Sequence, residues 1–290
     1  MNRAVAIGIF DGVHRGHQEL LKIAKLYGKV VALTFYPHPT AIFAPERTPP
    51  QIISLEDRVE LLKSHGAGEV VVIEFTQEFS LMSAEEFIDE ILVNQLQATH
   101  VVVGDNFTFG HKASGNAKTL QDAGRGFEVS VVKLEENRGT PVSSTRIRNL
   151  IMDGDVERAA DLLTRPHYLR GPVVHGEKRG RTIGYPTANI GLPSYATIPA
   201  DGVYAGWLSV GTDRWPAAIS IGTNPTFPGV RGRQVEAYAI DQIGLDLYDQ
   251  EAKLEIVWRL RDTLKFDSLD ALLVQMALDC EQTKKLTQPR

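Results

Sequence analysis

The hydrophobic pattern of the chain changes once, near Pro166, and this change constrains the fold more than any other feature. Before Pro166, apolar runs that predict buried strands alternate with segments of helical periodicity. After it, short β-prone runs are separated by turns rich in Gly and Pro. The first pattern predicts a parallel sheet covered by helices, and the second predicts an antiparallel barrel or sandwich. We therefore expect an α/β + β chain, with an α/β domain at residues 1–165 and a β domain at residues 166–290.

The apolar runs also predict the individual elements. Five strands are expected in the first half, at Ala4–Ile9, Lys29–Phe35, Glu69–Glu74, His100–Val103 and Phe127–Val132. Helices are expected at 16–27, from Ser54 to Ser64, after Ser83, at Ser144–Met152 and at Val156–Leu163. Strands of the second half are expected at Tyr168–Val174, Gly202–Ser209, Ala217–Ile221, Val235–Ile240 and Leu254–Leu260. A terminal helix is expected to start near Ser268, to turn Leu269, Leu272, Leu273 and Met276 inward, and to fray after Glu281.

Composition narrows the class of protein. Hydrophobic residues make up 43% of the 290, which is enough for two cores without disulfides or structural metals. The formal net charge of -5 argues against a protein that mainly binds nucleic acid. No window approaches the roughly 18 uninterrupted apolar residues of a membrane span, and Asp11 interrupts the first apolar run too early for a signal peptide. The single cysteine, Cys280, excludes an intrachain disulfide and favours a cytoplasmic location, while the oligomeric state stays open.

The segment GIFDGVHRGH, residues Gly8–His17, lies at a predicted strand-to-helix junction. Gly12 and Gly16 allow the backbone to approach a ligand closely, and the start of a helix offers free N–H groups and a positive dipole end. His14 and His17 add imidazoles that can bind phosphate oxygens and stabilise charge in a transition state. The alternative is a solvated loop that contains two histidines. A metal site is less favoured, because no Cys or further His lies near in the sequence.

Four segments together resemble a known family. The string GIFDGVHRGHQ is similar to the opening of bacterial bifunctional riboflavin kinase/FMN adenylyltransferases, the prokaryotic FAD synthetases. Three further segments match this family in the same order: FYPHP at Phe35–Pro39, GDNFTFG at Gly104–Gly110 and SSTRIR at Ser143–Arg148. Each of them alone could be a loop, a strand end or a helix cap. The resemblance implies that the first domain is a Rossmann-like nucleotidyltransferase domain and that the second is an antiparallel β-barrel riboflavin kinase domain with a terminal helix.

The resemblance also implies roles for residues of the first domain. The family's histidines bind ATP phosphates, which assigns catalytic roles to His14 and His17. Nucleotide or phosphate binding is implied for Gly8, Phe10, Asp11, Gly16, His38, Ser144, Thr145 and Arg148. Flavin binding is implied for Asn106, Phe107 and Phe109. Many members have Asp at the position of Asn106, so we expect this side chain to supply hydrogen bonds but no charge.

A second candidate site is GEKRGRTIGYPTAN, residues Gly176–Asn189. Glycine-rich backbone can wrap a phosphate, and the Lys and Arg side chains of this loop can neutralise it. Thr187 and Asn189 alternate on an extended segment, so their oxygens point the same way and suit Mg²⁺. A β-turn within a solvated basic loop is the alternative. GYPTAN resembles the Pro-Thr-Ala-Asn motif of riboflavin kinases, which implies a metal site at Thr187 and Asn189 and phosphate binding by Gly176, Lys178, Gly180 and Arg181.

Glu236 lies in a predicted strand, RQVEAYAI, where it shares one face with Tyr238. The residues alone favour an exposed surface carboxylate. The family resemblance implies instead that Glu236 is the catalytic base that takes the proton of the flavin 5′-hydroxyl. It also implies that Arg261 and Phe266 border the flavin. Tyr238 and Thr263 stand where many members have His and an acidic residue, which puts the affinity for flavin in question.

The sequence thus predicts a bifunctional transferase that uses ATP as co-substrate and Mg²⁺ as its metal. The second domain is expected to phosphorylate riboflavin to FMN. The first is expected to adenylylate FMN to FAD and release pyrophosphate. Riboflavin, FMN and ATP are the expected partners, with neither nucleic acid nor membrane. Two alternatives stay open: an enzyme with one inactive module, and a sensor that binds flavin or nucleotide without turning it over.

Overall fold

A computed structural model describes residues 2–133, 135–137, 139–176, 184–222 and 233–288. Backbone contacts divide the chain into two compact units, Met1–Ser144 and Thr145–Arg290. The predicted helices Ser144–Met152 (α7) and Val156–Leu163 (α8) are present. Apart from Ser144, both fall in the second unit. The structural division therefore precedes the boundary at 165–166 that the sequence pattern predicts.

The first unit is built on a five-stranded parallel sheet with the strand order β3-β2-β1-β4-β7. The strands of this unit are β1 Arg3–Ile7, β2 Lys29–Tyr36, β3 Glu69–Glu74, β4 His100–Gly104, β5 Thr108–Phe109, β6 Gly115–Asn116, β7 Glu128–Val132, β8 Glu136–Asn137 and β9 Thr140–Pro141. Its α-helices are α1 Arg15–Ala24, α2 Thr40–Phe43, α3 Leu55–Ser64, α4 Gln77–Ser80, α5 Ala84–Glu86 and α6 Ala117–Asp122. A π-helix at Phe87–Gln95 and 3₁₀ turns at Pro45–Arg47 and His111–Ala113 complete it.

Local sequence signals explain where these elements begin. The Ser54 hydroxyl accepts from the backbone N–H of Asp57 at 3.0 Å and caps α3, as predicted. Ser83 and Glu86 form a complete capping box at the start of α5. The central strands β1 and β4 are apolar along most of their length because helices cover both faces of the sheet. All carboxyl ends of the parallel strands therefore meet at one edge, where β1 leads into the Gly8–His17 segment.

The second unit contains the predicted antiparallel barrel. The strands are β10 His167–Val174, β11 Ala188–Ile190, β12 Gly202–Val210, β13 Asp213–Gly222, β14 Gln234–Ala239 and β15 Glu251–Arg261. They close in the order β10-β11-β14-β13-β12-β15, and β15 pairs again with β10. Tyr204, Leu208, Ile219 and Leu254 are fully buried at the centre. Val156 of α8 belongs to the same core, so this helix packs as part of the barrel unit.

The terminal helix, α9, spans Leu269–Thr287 and is capped by Ser268, as predicted. The expected inward apolar face is wrong at Leu269, which is 54% exposed, and the expected fraying after Glu281 is wrong because the helix continues to Thr287. The buried side of α9 carries polar residues instead: Asp279, Thr283 and Thr287. Burial is possible because both threonine hydroxyls donate to helix carbonyls and the carboxylate is paired with an arginine. Of the helices in the described ranges, none has both the length and the apolar character needed to cross a bilayer.

Candidate functional site

A cavity of about 500 Å³ opens at the carboxyl edge of the first unit's sheet. Its walls include residues at the ends of four strands: Gly8 after β1, Phe35 in β2, Gly104 in β4 and Val132 in β7. Ligands of open parallel sheets bind at this edge, because the loops that follow the strands converge there. The predicted residues Gly8, His14, Gly16, His17, Asn106, Phe107, Phe109 and Ser144 all line the cavity.

The two histidines form a stacked pair at the start of α1. Their ring centroids are 3.6 Å apart with an interplanar angle of 17°. His14 is the N-cap residue, and its Nδ1 accepts from the backbone N–H of His17 at 3.4 Å. A neutral His14 therefore carries its proton on Nε2. Within the described part of the chain, His17 Nδ1 is buried without a hydrogen-bond partner.

The surroundings of His17 disfavour its charged form. Burial is the main cause that holds the pKa of His17 well below its usual value of 6.5. Electrostatic repulsion from Arg58, and from His14 whenever that ring is protonated, lowers this pKa further. The imidazole is therefore neutral at pH 7. Binding of an anion beside it would favour proton uptake, because an opposite charge stabilises the imidazolium.

The Gly8–His17 loop has an unusual backbone conformation, and hydrogen bonds to a neighbouring segment hold it in place. Phe10 and Val13 have positive φ angles of 54° and 41°, a region that non-glycine residues rarely adopt. The Asp11 carboxylate accepts from the backbone N–H groups of Ile52 and Ile53 at 3.0–3.4 Å. Phe10 and Asp11 of this loop are buried and are not among the cavity-lining residues. Their implied contact with the nucleotide stays a prediction.

Aromatic side chains form much of the remaining cavity wall. The rings of Phe107 and Phe109 are stacked, with centroids 5.4 Å apart and an interplanar angle of 13°. Sequence reasoning did not assign four further aromatic residues to the cavity wall, namely Phe35, Phe75, Phe79 and Phe87. Two of them could have been predicted from their positions at strand ends, where ligands of parallel sheets bind: Phe35 lies near the end of β2, and Phe75 directly follows β3. The other two lie on helices that fold over the sheet edge.

The remaining residues predicted for the first site differ in placement. The Ser144 hydroxyl donates to the carbonyl oxygen of Asp11 at 2.8 Å, which ties the start of α7 to the loop. His38 accepts from the backbone N–H of Thr40 at 3.2 Å and does not itself line the cavity. Thr145 and Arg148 belong to the second unit, where the Arg148 guanidinium donates to the Thr145 hydroxyl at 3.3 Å. Their phosphate-binding role stays a prediction.

The second unit contains a cavity of about 940 Å³ beside the barrel. Thr187 and Tyr238 line it, and so does the whole segment 241–248, which sequence reasoning missed. The Thr187 hydroxyl donates to Glu236 Oε2 at 3.0 Å, and Asn189 pairs with Glu236 in the β11–β14 ladder. The structure therefore brings Thr187, Asn189 and Glu236 together. Lys178, Gly180 and Arg181 lie outside the described residues.

The two faces of β14 are as predicted. Val235, Ala237 and Ala239 are buried in the barrel, whereas Glu236 and Tyr238 share the opposite, half-buried face. Burial raises the pKa of the Tyr238 phenol, and the neighbouring Cys280 and Asp241 add to this effect. Tyr238 is therefore a neutral hydrogen-bonding side chain at pH 7 and cannot replace a titrating histidine.

Asp279 holds Arg261, a predicted flavin-binding residue. Arg261 Nη2 lies 2.6 Å from Asp279 Oδ2, and its Nε donates to Oδ1 at 3.0 Å. The guanidinium also lies 5.9 Å from the centroid of the Phe266 ring. Neither Arg261 nor Phe266 lines the 940 Å³ cavity. Their implied contact with flavin stays a prediction.

Comparisons with known proteins match both parts of the chain. The family model described as FAD synthetase matches residues 1–146, and the one described as riboflavin kinase matches residues 163–287. A Listeria monocytogenes protein named bifunctional riboflavin kinase/FMN adenylyltransferase is 36% identical, over 98% of this chain and 92% of its own length. The Escherichia coli K12 protein of the same name is 35% identical, over 95% of this chain and 90% of its own. A solved Streptococcus pneumoniae structure, described as a macrolide-efflux protein, has a TM-score of 0.88 at 36% identity and covers 98% of this chain and 94% of that one.

The matches and the geometry agree. Each matched range contains a cavity with motif residues of one activity on or beside its walls. The similarity to the curated relatives extends over nearly the full length of both partners. The chain therefore belongs to the family of bifunctional riboflavin kinase/FMN adenylyltransferases, transferases that convert riboflavin to FMN and FMN to FAD.

Proposed function

We propose that the 500 Å³ cavity is the adenylyltransferase site and that His14 and His17 bind the ATP phosphates there. The observation that carries this assignment is the placement of the two imidazoles, which stack on each other at the start of α1 and line the cavity. A triphosphate in the cavity would lie beside both rings. The first turn of α1 adds free backbone N–H groups and the positive end of the helix dipole.

The reaction at this site needs no covalent intermediate with the protein. A phosphate oxygen of FMN attacks the α-phosphorus of ATP, the bond from that phosphorus to the bridging oxygen breaks, and pyrophosphate leaves. Negative charge builds up on the oxygens of the reacting phosphates. Donors fixed at the start of α1 and on His14 and His17 stabilise this charge. Because the two rings are stacked, little reorganisation is needed during the step.

We assign the flavin ring of FMN to the aromatic part of the same cavity. Phe107 and Phe109 offer parallel ring faces, and Phe35 and Phe75 extend the apolar surface. Asn106 lines the cavity next to these rings and can donate and accept hydrogen bonds. A flat heteroaromatic ring with polar edges suits such a wall. Thr145, Arg148 and His38 keep the phosphate-binding roles that the family resemblance implies.

In the second unit we propose that Glu236 is the base of the riboflavin kinase reaction. The riboflavin 5′-oxygen attacks the γ-phosphorus of ATP, ADP leaves, and the hydroxyl proton passes to the Glu236 carboxylate. The bond from the Thr187 hydroxyl fixes one carboxylate oxygen, which orients the group on its strand. In a loose phosphoryl-transfer transition state, the nucleophile needs little deprotonation early, so positioning matters more than basicity.

The donor set around Glu236 fits Mg²⁺. The Thr187 hydroxyl, the Asn189 amide and the Glu236 carboxylate offer oxygen ligands on adjoining strand segments, and Mg²⁺ prefers oxygen. Gly176 leaves space for the Asn189 amide, since a Cβ at this position would collide with it. We propose that Thr187 and Asn189 hold the ion. When bound, it would neutralise the charge of the ATP phosphates.

Two further features of the chain remain proposals. We place the enzyme in the cytoplasm, because the single cysteine of the chain rules out an intrachain disulfide. We also propose that the functional modules correspond to residues 1–165 and 166–290, as the sequence pattern predicts. Small molecules are the proposed partners of both modules.

One experiment tests the assignment of the first site. The purified protein is incubated with riboflavin, ATP and Mg²⁺, and the flavins are separated. Wild type is expected to accumulate FAD. A His14→Ala/His17→Ala variant is expected to accumulate FMN and to form FAD at least about a hundredfold more slowly, because preorganised donors to transition-state charge are lost. Normal FAD formation by this variant would contradict the role proposed for the two histidines. If wild type forms FMN but no FAD, the first module is inactive.

A further inference from the structure

Two buried residues of opposite charge, one in the Gly8–His17 loop and one on α3, interact electrostatically. Asp11 on the loop is 3% exposed, and Arg58 on α3 is 2% exposed. Burial lowers the pKa of Arg58, while the negative charge of Asp11 opposes this effect and favours the guanidinium cation. A buried charge must be balanced, since leaving it alone in a low-dielectric interior is strongly unfavourable. Arg58 has no role in the functions proposed above.

Hydrogen bonds from Arg58 join the carboxyl ends of two strands. Its Nη1 donates to the carbonyl oxygen of Phe35 in β2 at 3.2 Å and contacts the Thr34 hydroxyl at 3.5 Å. The Thr34 hydroxyl in turn donates to the carbonyl oxygen of Ile9, two residues after the end of β1, at 2.9 Å. The guanidinium therefore fixes the point at which β1 leads into the loop relative to β2.

Asp11 completes the connection from the other side of the loop. Its carboxylate accepts from the backbone N–H groups of Ile52 and Ile53, directly before the α3 helix that carries Arg58. Phe10, which lies between these two anchors, and Val13, two residues beyond Asp11, both have positive φ angles. Such backbone conformations persist only where the surroundings hold them.

We propose that Arg58 is a positioning residue of the adenylyltransferase site: its buried guanidinium balances Asp11, ties the ends of β1 and β2 together and holds the strained loop so that His14 and His17 face the triphosphate. This proposal rests on the phosphate-binding role proposed for the histidines. It has a second consequence, because the Arg58 charge also acts on His17. The titratable groups that face His17 are His14 and Arg58, and those that face Arg58 are Asp11 and Tyr36.

The test compares Arg58→Met, which removes the charge, with Arg58→Lys, which keeps it but loses the planar fork. We expect both variants to lower kcat/KM for the conversion of FMN to FAD by about tenfold to a hundredfold, since small displacements of reacting groups are costly. Formation of FMN from riboflavin in the same samples should not change. Arg125→Met is the matched control, because Arg125 forms an exposed ion pair with Asp89 in the same unit. It should leave both reactions unchanged.

The titration of His17, followed by NMR and assigned with a His17→Gln variant, gives a readout that needs no turnover. Arg58→Met should raise the pKa of His17, because a nearby positive charge is gone, whereas Arg58→Lys should leave it close to the wild-type value. Wild-type FAD formation in both Arg58 variants would overturn the proposal. The proposal would also be overturned if the pKa of His17 is unchanged in Arg58→Met and FAD formation falls only in proportion to the fraction of protein whose first unit is unfolded.

Arg58→Met leaves the buried Asp11 carboxylate without the positive charge of Arg58, so the first unit could fail to fold. The double variant Asp11→Asn/Arg58→Met removes both charges and keeps the proposal testable. We expect it to be folded by circular dichroism and still deficient in FAD formation, because the bridge between β1 and β2 is missing. Full activity of the double variant would show that Arg58 only balances charge. Failure of the histidine assignment would be seen in a different experiment, as normal FAD formation by the His14→Ala/His17→Ala variant. That outcome does not depend on the results for the Arg58 variants.

Discussion

His167 should make the barrel unit sensitive to acid. It is the first residue of β10, it is 1% exposed, and its Nε2 lies 3.0 Å from the carbonyl oxygen of Thr197. A carbonyl can only accept, so Nε2 carries the proton of the neutral ring. In the described residues, Nδ1 is buried without a partner. Burial lowers the pKa of His167 from 6.5 to about 4, the bond to Thr197 opposes this effect, and the charge of Arg165 adds to it.

The sign and size of the effect follow from linkage. Because the pKa of His167 is lower in the folded than in the unfolded state, the unfolded state binds more protons as the pH falls below 6.5. The free energy of unfolding is therefore unaffected by this residue above about pH 7 and decreases towards pH 4. The gap between 6.5 and about 4 corresponds to a loss of roughly 3 kcal/mol, of which about 2 kcal/mol is reached by pH 5.

Tryptophan fluorescence can measure this loss in the full chain, because Trp207, Trp215 and Trp258 all lie in the second unit. Urea unfolding at pH 7 and pH 5 is compared for wild type and His167→Gln, which keeps an N–H donor but cannot become charged. The variant is expected to lose about 2 kcal/mol less than wild type between the two pH values. The exposed His175, changed to Gln, is the matched control and should behave as wild type. Equal losses in wild type and His167→Gln would refute the reasoning.

Three further predictions concern the second unit. Glu236→Gln should slow FMN formation by about a hundredfold, the lower end of the range for loss of a general base, and leave the conversion of FMN to FAD intact; full kinase activity would reduce Glu236 to a strand-face carboxylate. Thr187→Ala should raise the Mg²⁺ concentration needed for half-maximal FMN formation, and an unchanged metal titration would contradict the proposed metal site. A fragment that starts at Thr145 should resist urea better than one that starts at Pro166, because the shorter one loses burial of Val156, worth about 1.5–3 kcal/mol. Equal urea midpoints would show that α8 adds nothing to the barrel.

Local patterns in the sequence determined the type and order of most elements. The strand–helix alternation of the first half, the caps at Ser54 and Ser83 and the two faces of β14 all follow from interactions within a few residues. Side chains that repeat every 2 residues in a strand or every 3.6 residues in a helix lie on one face of that element, whichever segment packs against it. Short polar residues that cap a helix form hydrogen bonds with its first turn. The Gly8–His17 and Gly176–Asn189 motifs could be recognised from the sequence for the same reason, because the candidate ligand-binding residues of each lie within one short segment.

Only the tertiary structure decided which distant residues meet. The gathering of Phe35, Phe75, Phe79 and Phe87 in one cavity depends on how the strand ends and helices converge. The bond chain from Arg58 to Phe35 and, through Thr34, to Ile9 spans more than 20 residues at each step. The position of α8 with the barrel and the polar buried face of α9 likewise depend on partners far along the chain. No local period encodes these contacts, because their free energy comes from burial and pairing between segments that are adjacent only after folding.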